Sequence, residues 1–490
     1  MSRINNNIPS LLAQRVLYNQ NMSLNKSLER LSTGLRISRG ADDPAGLIAS
    51  ENLRSEKAAI NAAVSNAQRA EQVMNVAEGG LQEVSSLLIE LQSLVSMTAN
   101  EAGVSNDEKS ANQMQIDSIL ETIDRIANST TFQGSKLLNG NFDYAVEGVN
   151  ETSLTDVTVH SAMLPENGAA RDVTVTTLSA AETAELYLST HTGAFTNAGN
   201  GEITIEITGM KGTQQFTFAS GTAQTDIISA INSFRDQLGV SAVQNATTNA
   251  RVEIRSTEFG GDEFVRVKTL YNEGVDILFD AASGGTASAE KQDSGLDALV
   301  LINGTQAMSD GLTAHVANSG FDVSVTIGGS SAMNIANASE TFQITGGGAD
   351  FSLTPSADMS GRVSIGIGTV TTGNLGSEEM GYLSGLKSGG AANVRNGDVS
   401  NAQNVIDEAI KQVSSLRGRL GAFQKNVIGS SIRSLGVALE NTTAAESQIR
   451  DTDFAAETAT LTRAQILSQA ATQALLLSNA QPQQVLSLIA

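Results

Sequence analysis

Apolar side chains recur with helical, seven-residue spacing at both ends of the chain, and that spacing gives way to short two-residue alternation in the middle. From Ile60 one series runs Ile60, Ala67, Met74, Leu81, Leu88 and Val95, and its companion runs Ala63, Ala70, Ala77, Val84, Leu91 and Thr98. Such an a/d seam predicts a long coiled-coil helix. The Gly79-Gly80 pair within it costs roughly 1 kcal/mol per glycine relative to alanine, so a tight neighbour or a local bend is expected there. Near the other end Val399, Ala402, Ile406, Ala409, Val413, Leu416, Leu420, Phe423 and Val427 alternate spacings of three and four. Close to Ile428 this stripe changes face and continues through Ile432, Leu435 and Leu439. A shorter helix is predicted over 107–128, with Ile116, Ile119, Ile123 and Ile126 on one face and a capping box at Ser105 and Glu108. Leu17, Leu24, Leu28, Leu31 and Leu35 mark a further helix that Gly34 and Gly40 close off.

None of these helices buries its stripe alone. The seams at 46–140 and 399–454 are therefore expected to form one intramolecular bundle, the middle being an excursion from it. The extreme ends differ. Their stripes, including Leu475, Leu476, Leu477, Val485, Leu486, Leu488 and Ile489, have no evident third partner in the chain. Ordering such a pair costs about 1–2 kcal/mol per residue in backbone entropy. Packing against neighbouring copies would supply the missing burial, which points to self-assembly.

Residues 141–398 carry short alternating runs bounded by Gly, Asn and Asp: 202–208, 214–219, 251–256, 264–270, 321–327, 351–354 and 362–369. They predict strands, with a helix over 225–238 (Ile228, Ile231, Phe234) making a strand–strand–helix–strand unit of roughly 202–256. The expected fold is mixed and multidomain, an all-α coiled-coil-like bundle built from both chain ends with a β-rich (α+β) outer insert. That insert is expected to divide near 290, into about 141–290 and 291–398.

Composition sharpens this division. The chain has 490 residues and a net charge of −22, and the middle holds 30 of its 52 acidic residues and 33 of its 45 glycines. Such acidity excludes the phosphate neutralisation that nucleic-acid binding requires. No apolar run reaches the ~18 residues of a membrane helix, and the polar opening segment does not resemble a cleaved signal. With no Cys, disulfides and thiol catalysis are excluded. No cofactor, metal or catalytic residue is expected. His160, His191 and His315 read as solvated loop residues, and Asp42-Asp43-Pro44 as a turn. Gly385-Leu386-Lys387-Ser388 has Leu where a phosphate loop needs Gly.

Several motifs carry a family likeness. Leu31-Ser32-Thr33-Gly34-Leu35-Arg36-Ile37 and Ala41-Asp42-Asp43-Pro44-Ala45-Gly46-Leu47 form an N-terminal signature, continued by Ile123-Asp124-Arg125-Ile126 and Phe132-Gln133-Gly134-Ser135-Lys136-Leu137-Leu138. Leu416-Arg417-Gly418-Arg419-Leu420-Gly421-Ala422 and Ile449-Arg450-Asp451-Thr452-Asp453-Phe454-Ala455-Ala456-Glu457-Thr458 form its C-terminal counterpart. The chain resembles bacterial flagellin over 1–140 and 399–490. More weakly, 202–256 resembles a strand–helix module of flagellins and hook-associated proteins.

The resemblance implies a non-enzymatic, self-assembling structural subunit of the flagellar filament. It implies secretion through the flagellar type III export channel to an extracellular site. Its implied partners are many copies of itself, an export chaperone, the filament cap and the hook-associated junction proteins. Residues 1–45 with 455–490 would line the inner filament core, with Leu17, Leu24, Leu28, Leu31, Leu35, Leu475, Leu477, Val485 and Leu488 buried between subunits. Residues 46–140 with 399–454 would form the bundle, and 141–398 would face outward. The resemblance also places an animal Toll-like receptor contact over 89–95. Glu90 and Gln92 stand where detected flagellins look basic, while Leu94 keeps the apolar contact, so this stretch is expected to bind poorly. A hook–filament junction protein is the alternative, and an enzyme inserted in a flagellin is disfavoured by the missing zinc-helix motif.

Overall fold

The computed structural model describes residues 7–489 apart from 101–102, 166–168, 189–201, 220, 246–250, 273–278, 281–288, 319, 330–332, 357, 378–379 and 396–397; of 482–489 it describes the backbone alone. Long helices at both ends flank a β-rich middle, as the spacing predicted. Helix α1 is Ile8–Thr33, α2 is Pro44–Thr98 and α3 is Asn106–Ser129. In the middle lie α4 (Gln224–Asn232) and α5 (Arg235–Leu238), and the chain ends with α6 (Val399–Ala422), α7 (Gly429–Arg450) and α8 (Phe454–Ile489). Two compact units divide it: Met1–Met74 with Phe351–Arg362 and Gly421–Ala490, and Asn75–Asp350 with Val363–Leu420.

In the first unit, Asn7 caps α1 by accepting from the Ser10 N–H at 3.1 Å, and Gly34, in the left-handed region at φ 73°, ends it. Asp43 opens α2. Its carboxylate accepts from the Gly46 N–H at 2.9 Å, with Pro44 as first helical residue. A Cβ on Gly46 would lie 2.7 Å from Ile37, a buried side chain, so glycine lets that packing form. Ile60 and Ala63 of α2 share a core with Leu435 of α7, flanked by Val64, Ala438 and Leu439.

Between α6 and α7 the chain makes a π turn, Phe423–Ile428, in which the Gly429 N–H reaches back to the Gln424 carbonyl. A π turn takes one residue more than an α turn. The buried stripe accordingly steps from Phe423 to Ile428, leaving the expected Val427 only half-buried. Phe351 lies 6.2 Å from Phe423, ring to ring, within this unit.

In the second unit Ala77, Leu81, Val84, Leu88, Leu91, Val95 and Thr98 of α2 are all buried. The capping box at Ser105 and Glu108 starts α3 as expected. Gly79 has open space where a Cβ would point, whereas one on Gly80 would lie 2.7 Å from Thr130 Oγ1 and 2.8 Å from Leu138. The glycine pair therefore marks a tight neighbour, and only the second glycine is required.

Antiparallel sheets make up most of the middle of the chain in this unit. The strands Arg171–Ser179, Leu299–Ile302 and Ala338–Gly346 lie in one sheet; Leu154–Ala162, Phe321–Ile327 and Thr313–Asn318 lie in another; and both enclose one core around Val175, Val300, Phe342, Val323 and Val325. A second core lies between the sheets containing Glu202–Gly209 and Arg251–Ser256, with Ile227 and Ile231 of α4. Its residues span 184–267, while the first core takes residues from 144–181 and from 298–344. One core is thus inserted within the other, and the expected split near 290 coincides with neither. Long-range pairing, such as Leu299 with Ser179, closes the outer core across the insertion.

Candidate assembly surface

Helices α1 and α8 run antiparallel within the first unit. Asn7 Nδ2 donates to the Ser478 carbonyl at 2.9 Å, Ser10 Oγ to Asn479 at 2.7 Å and Ser468 Oγ to Asn21 at 3.0 Å. At the other end Arg30 pairs with Glu457 at 3.5 Å. Among the described side chains of the two helices, only Ser10, Ser27, Ala464 and Ala471 are buried. Small residues let the helices approach, and many of their large side chains stay exposed. Leu11 is 63% exposed and Leu477 65%, with Ile8, Leu12, Met22, Ile466 and Leu476 similarly bare. A row of large exposed apolar residues of this extent marks an interaction surface.

Of the residues expected between subunits, Leu17, Leu24, Leu31, Leu35 and Leu475 are half-buried, and Leu28 and Leu477 are exposed. The side chains of Val485 and Leu488 lie outside the described residues. Of those expected in the seam, Ile60, Ala67, Met74, Phe423, Ile406, Val413, Leu416 and Leu420 are buried in their respective units.

Sequence reasoning missed the joint where the terminal pair meets the longer helices. Leu35 and Asp451 face each other in a single antiparallel bridge. It is closed by the Arg36 N–H on the Arg450 carbonyl at 2.7 Å and the Thr452 N–H on the Gly34 carbonyl at 2.9 Å. The Arg36 guanidinium donates through Nε, at 3.1 Å, and Nη2 to the Ile449 carbonyl, and Nη1 lies 3.8 Å from Asp43. Arg450 pairs with Glu51 at 3.1 Å. The Lys26 ammonium, 2.8 Å from Asp42, leads the causes holding the Asp42 carboxyl down at about 2, helped by the Arg39 N–H. The two signature motifs, more than 400 residues apart, thus form one structure. That both motifs break a helix, at Gly34 and at Asp451, was the one available signal.

In the second unit Glu90 is exposed, Gln92 donates to Asp407, and Leu94 is buried. Lys387 and Ser388 of the phosphate-loop-like segment are engaged by Asp124 and Asp117. The expectation that the histidines are solvated loop residues fails for two of them, and His191 lies outside the described residues. His160 and His315 sit on strands, their rings 6.2 Å apart. His160 Nδ1 accepts from Arg419, and His315 pairs with Asp322 at 2.8 Å. Burial first, then the Arg419 charge, lower the His160 pKa to about 4. Period-two patterning places a residue on a face but does not reveal what a helix lays against it. Among the described residues no group of three or more His, Asp or Glu side chains is placed to hold a metal ion.

The family models for the bacterial flagellin N-terminal and C-terminal helical regions match residues 4–143 and 403–489. A B-type flagellin of Pseudomonas aeruginosa is 28% identical over 539 residues, covering 99% of each chain. Flagellin B of Vibrio anguillarum is 28% identical over 486 residues, again covering 99% of each. Among solved structures, the flagellar junction protein FlgL from Legionella pneumophila is 13% identical, covering 82% of this chain and 99% of that one at a TM-score of 0.28.

Proposed function

The chain belongs to the bacterial flagellin family and is a structural subunit of the flagellar filament that drives swimming motility; from that premise we propose how its parts serve the polymer. The match of flagellin models at both helical ends carries the assignment, and the junction-protein alternative is not favoured. Membership implies a homopolymer. A filament needs a surface that meets a different surface on the next copy, repeated without closure.

In our reading residues 1–45 and 455–490 supply that surface as the inner core. Residues 46–140 with 399–454 form the surrounding bundle, and 141–398 the outward insert. The bare leucines of α1 and α8 support this division. The chain acts without catalysis, leaves the cell through the flagellar export channel, and works outside it. On the way it engages an export chaperone, the cap and the junction proteins. Filaments sheared from cells should contain this chain as their main mass, and its deletion should abolish swimming. Intact filaments without it would overturn the reading. Removing 455–490 should stop elongation on filament seeds while the remaining chain keeps a cooperative unfolding transition.

The same reading makes 89–95 a poor receptor contact. Glu90 presents a carboxylate where a guanidinium would donate paired bonds, and Gln92 is occupied by Asp407. Monomer should activate the receptor weakly in reporter cells, with Glu90→Arg and Gln92→Arg together restoring part of the response.

A further inference from the structure

Given filament assembly, we propose that Arg36 is a positioning residue for it, tying the two chain passages of the first unit into one strut so that α1 and α8 are presented to the next subunit together. Between α1 and α2, and again between α7 and α8, the chain leaves the helical state, at 34–43 and 451–453. Both passages are natural hinges. Only two backbone hydrogen bonds close the bridge between them.

Arg36 reinforces that bridge at two helix ends at once. Its fork donates twice to the Ile449 carbonyl, in the last turn of α7, where the helix dipole favours a cation. Its remaining nitrogen faces Asp43, the carboxylate that caps α2. Arg450 and Arg30 brace the same region through Glu51 and Glu457. The large apolar side chains that need a partner lie on both α1 and α8. A surface made of two helices binds well only when both are held in place beforehand, because freezing a hinge during association subtracts from affinity.

The test measures the critical concentration for elongation of full-length monomer on short sheared seeds of the parent filament. Arg36→Gln should raise it about three- to tenfold, the size expected for losing an ordinary hydrogen bond at an exposed site. The monomer's unfolding temperature should move no more than in Arg15→Gln, a change at an exposed arginine within α1. Arg36→Lys should keep most of the defect, since an ammonium lacks the planar fork.

A covalent substitute separates positioning from mere stability. Leu35 and Asp451 lie opposite each other between the two bridge bonds, where Cα atoms come within about 4.5 Å, inside disulfide range. The chain has no other thiols. Leu35→Cys with Asp451→Cys, added to Arg36→Gln, should when oxidised match the critical concentration of the same double-cysteine chain that keeps Arg36, and should lose that match again on reduction. Parental elongation by Arg36→Gln, or no restoration by the cross-link, would overturn the proposal. Failure of the parent chain itself to elongate would instead count against filament assembly.

Discussion

Helix α2 and the α1–α8 pair place their side chains in opposite ways. In α2 every seam position from Ile60 to Thr98 is buried, large residues included. In α1 and α8 the fully buried positions are Ser and Ala, while the described leucines and isoleucines are half-buried or exposed. The first arrangement satisfies its apolar surface within one chain. The second leaves much of it exposed, and in our reading that surface is what another copy covers.

The largest effect that could break this contrast is a pair of leucine truncations. Leu88→Ala should cost the monomer about 2–5 kcal/mol, the range for a buried leucine whose cavity persists. Leu477→Ala should change monomer stability by no more than about 0.5 kcal/mol, yet raise the critical concentration for elongation. Urea unfolding of monomer and seeded growth measure the two. Equal losses of monomer stability would erase the distinction.

A smaller effect concerns how the strands of the second unit are held. His160 is neutral when folded because burial and Arg419 depress its pKa to about 4, below the ordinary 6.5. As pH falls below 6.5 the unfolded chain takes up a proton that the folded chain refuses. Stability at this site is therefore full above 6.5, declines toward pH 4 and is lost below it. Replacing His160 with Gln should flatten that part of the stability–pH curve, as read by thermal unfolding across pH 4–7.

Smallest is the glycine pair in α2. Gly80→Ala should destabilise by about 1–3 kcal/mol through contact with Thr130 and Leu138. Gly79→Ala meets open space and should stabilise by up to about 1 kcal/mol. Opposite signs from neighbouring residues would show how closely packed this helix is, whereas equal signs would mean that a bend decides both.

Much of the fold was legible because burial leaves a period in the sequence. The seam, α3 with its capping box, the end of α1 at Gly34 and the strands at 202–209 and 321–327 all follow from spacing and caps. The change of face near Ile428 was visible too, although its cause, one extra residue in a π turn, was not. At the candidate surface the stripes of α1 and α8 were legible as apolar, and their lack of a third partner pointed to self-assembly.

The Arg36 joint and the His160–Arg419 contact were not legible. Each joins residues hundreds of positions apart through a few hydrogen bonds, which impose no period on either segment. The nesting of the two β cores was hidden for the same reason, since strand patterning records which face is buried and says nothing of which strand is the neighbour.

The sequence by itself determined which stretches are helical, which alternate, and that both ends carry more apolar surface than they can cover. Those properties are local, set by backbone periodicity and the hydrophobic effect acting on neighbouring residues. Only the tertiary structure decided that small residues would occupy the inside of the terminal pair. It alone decided that Gly80 and not Gly79 is required, and that the two signature motifs close on each other. Each of these depends on what lies across the gap from a residue, and that is a property of the packed chain.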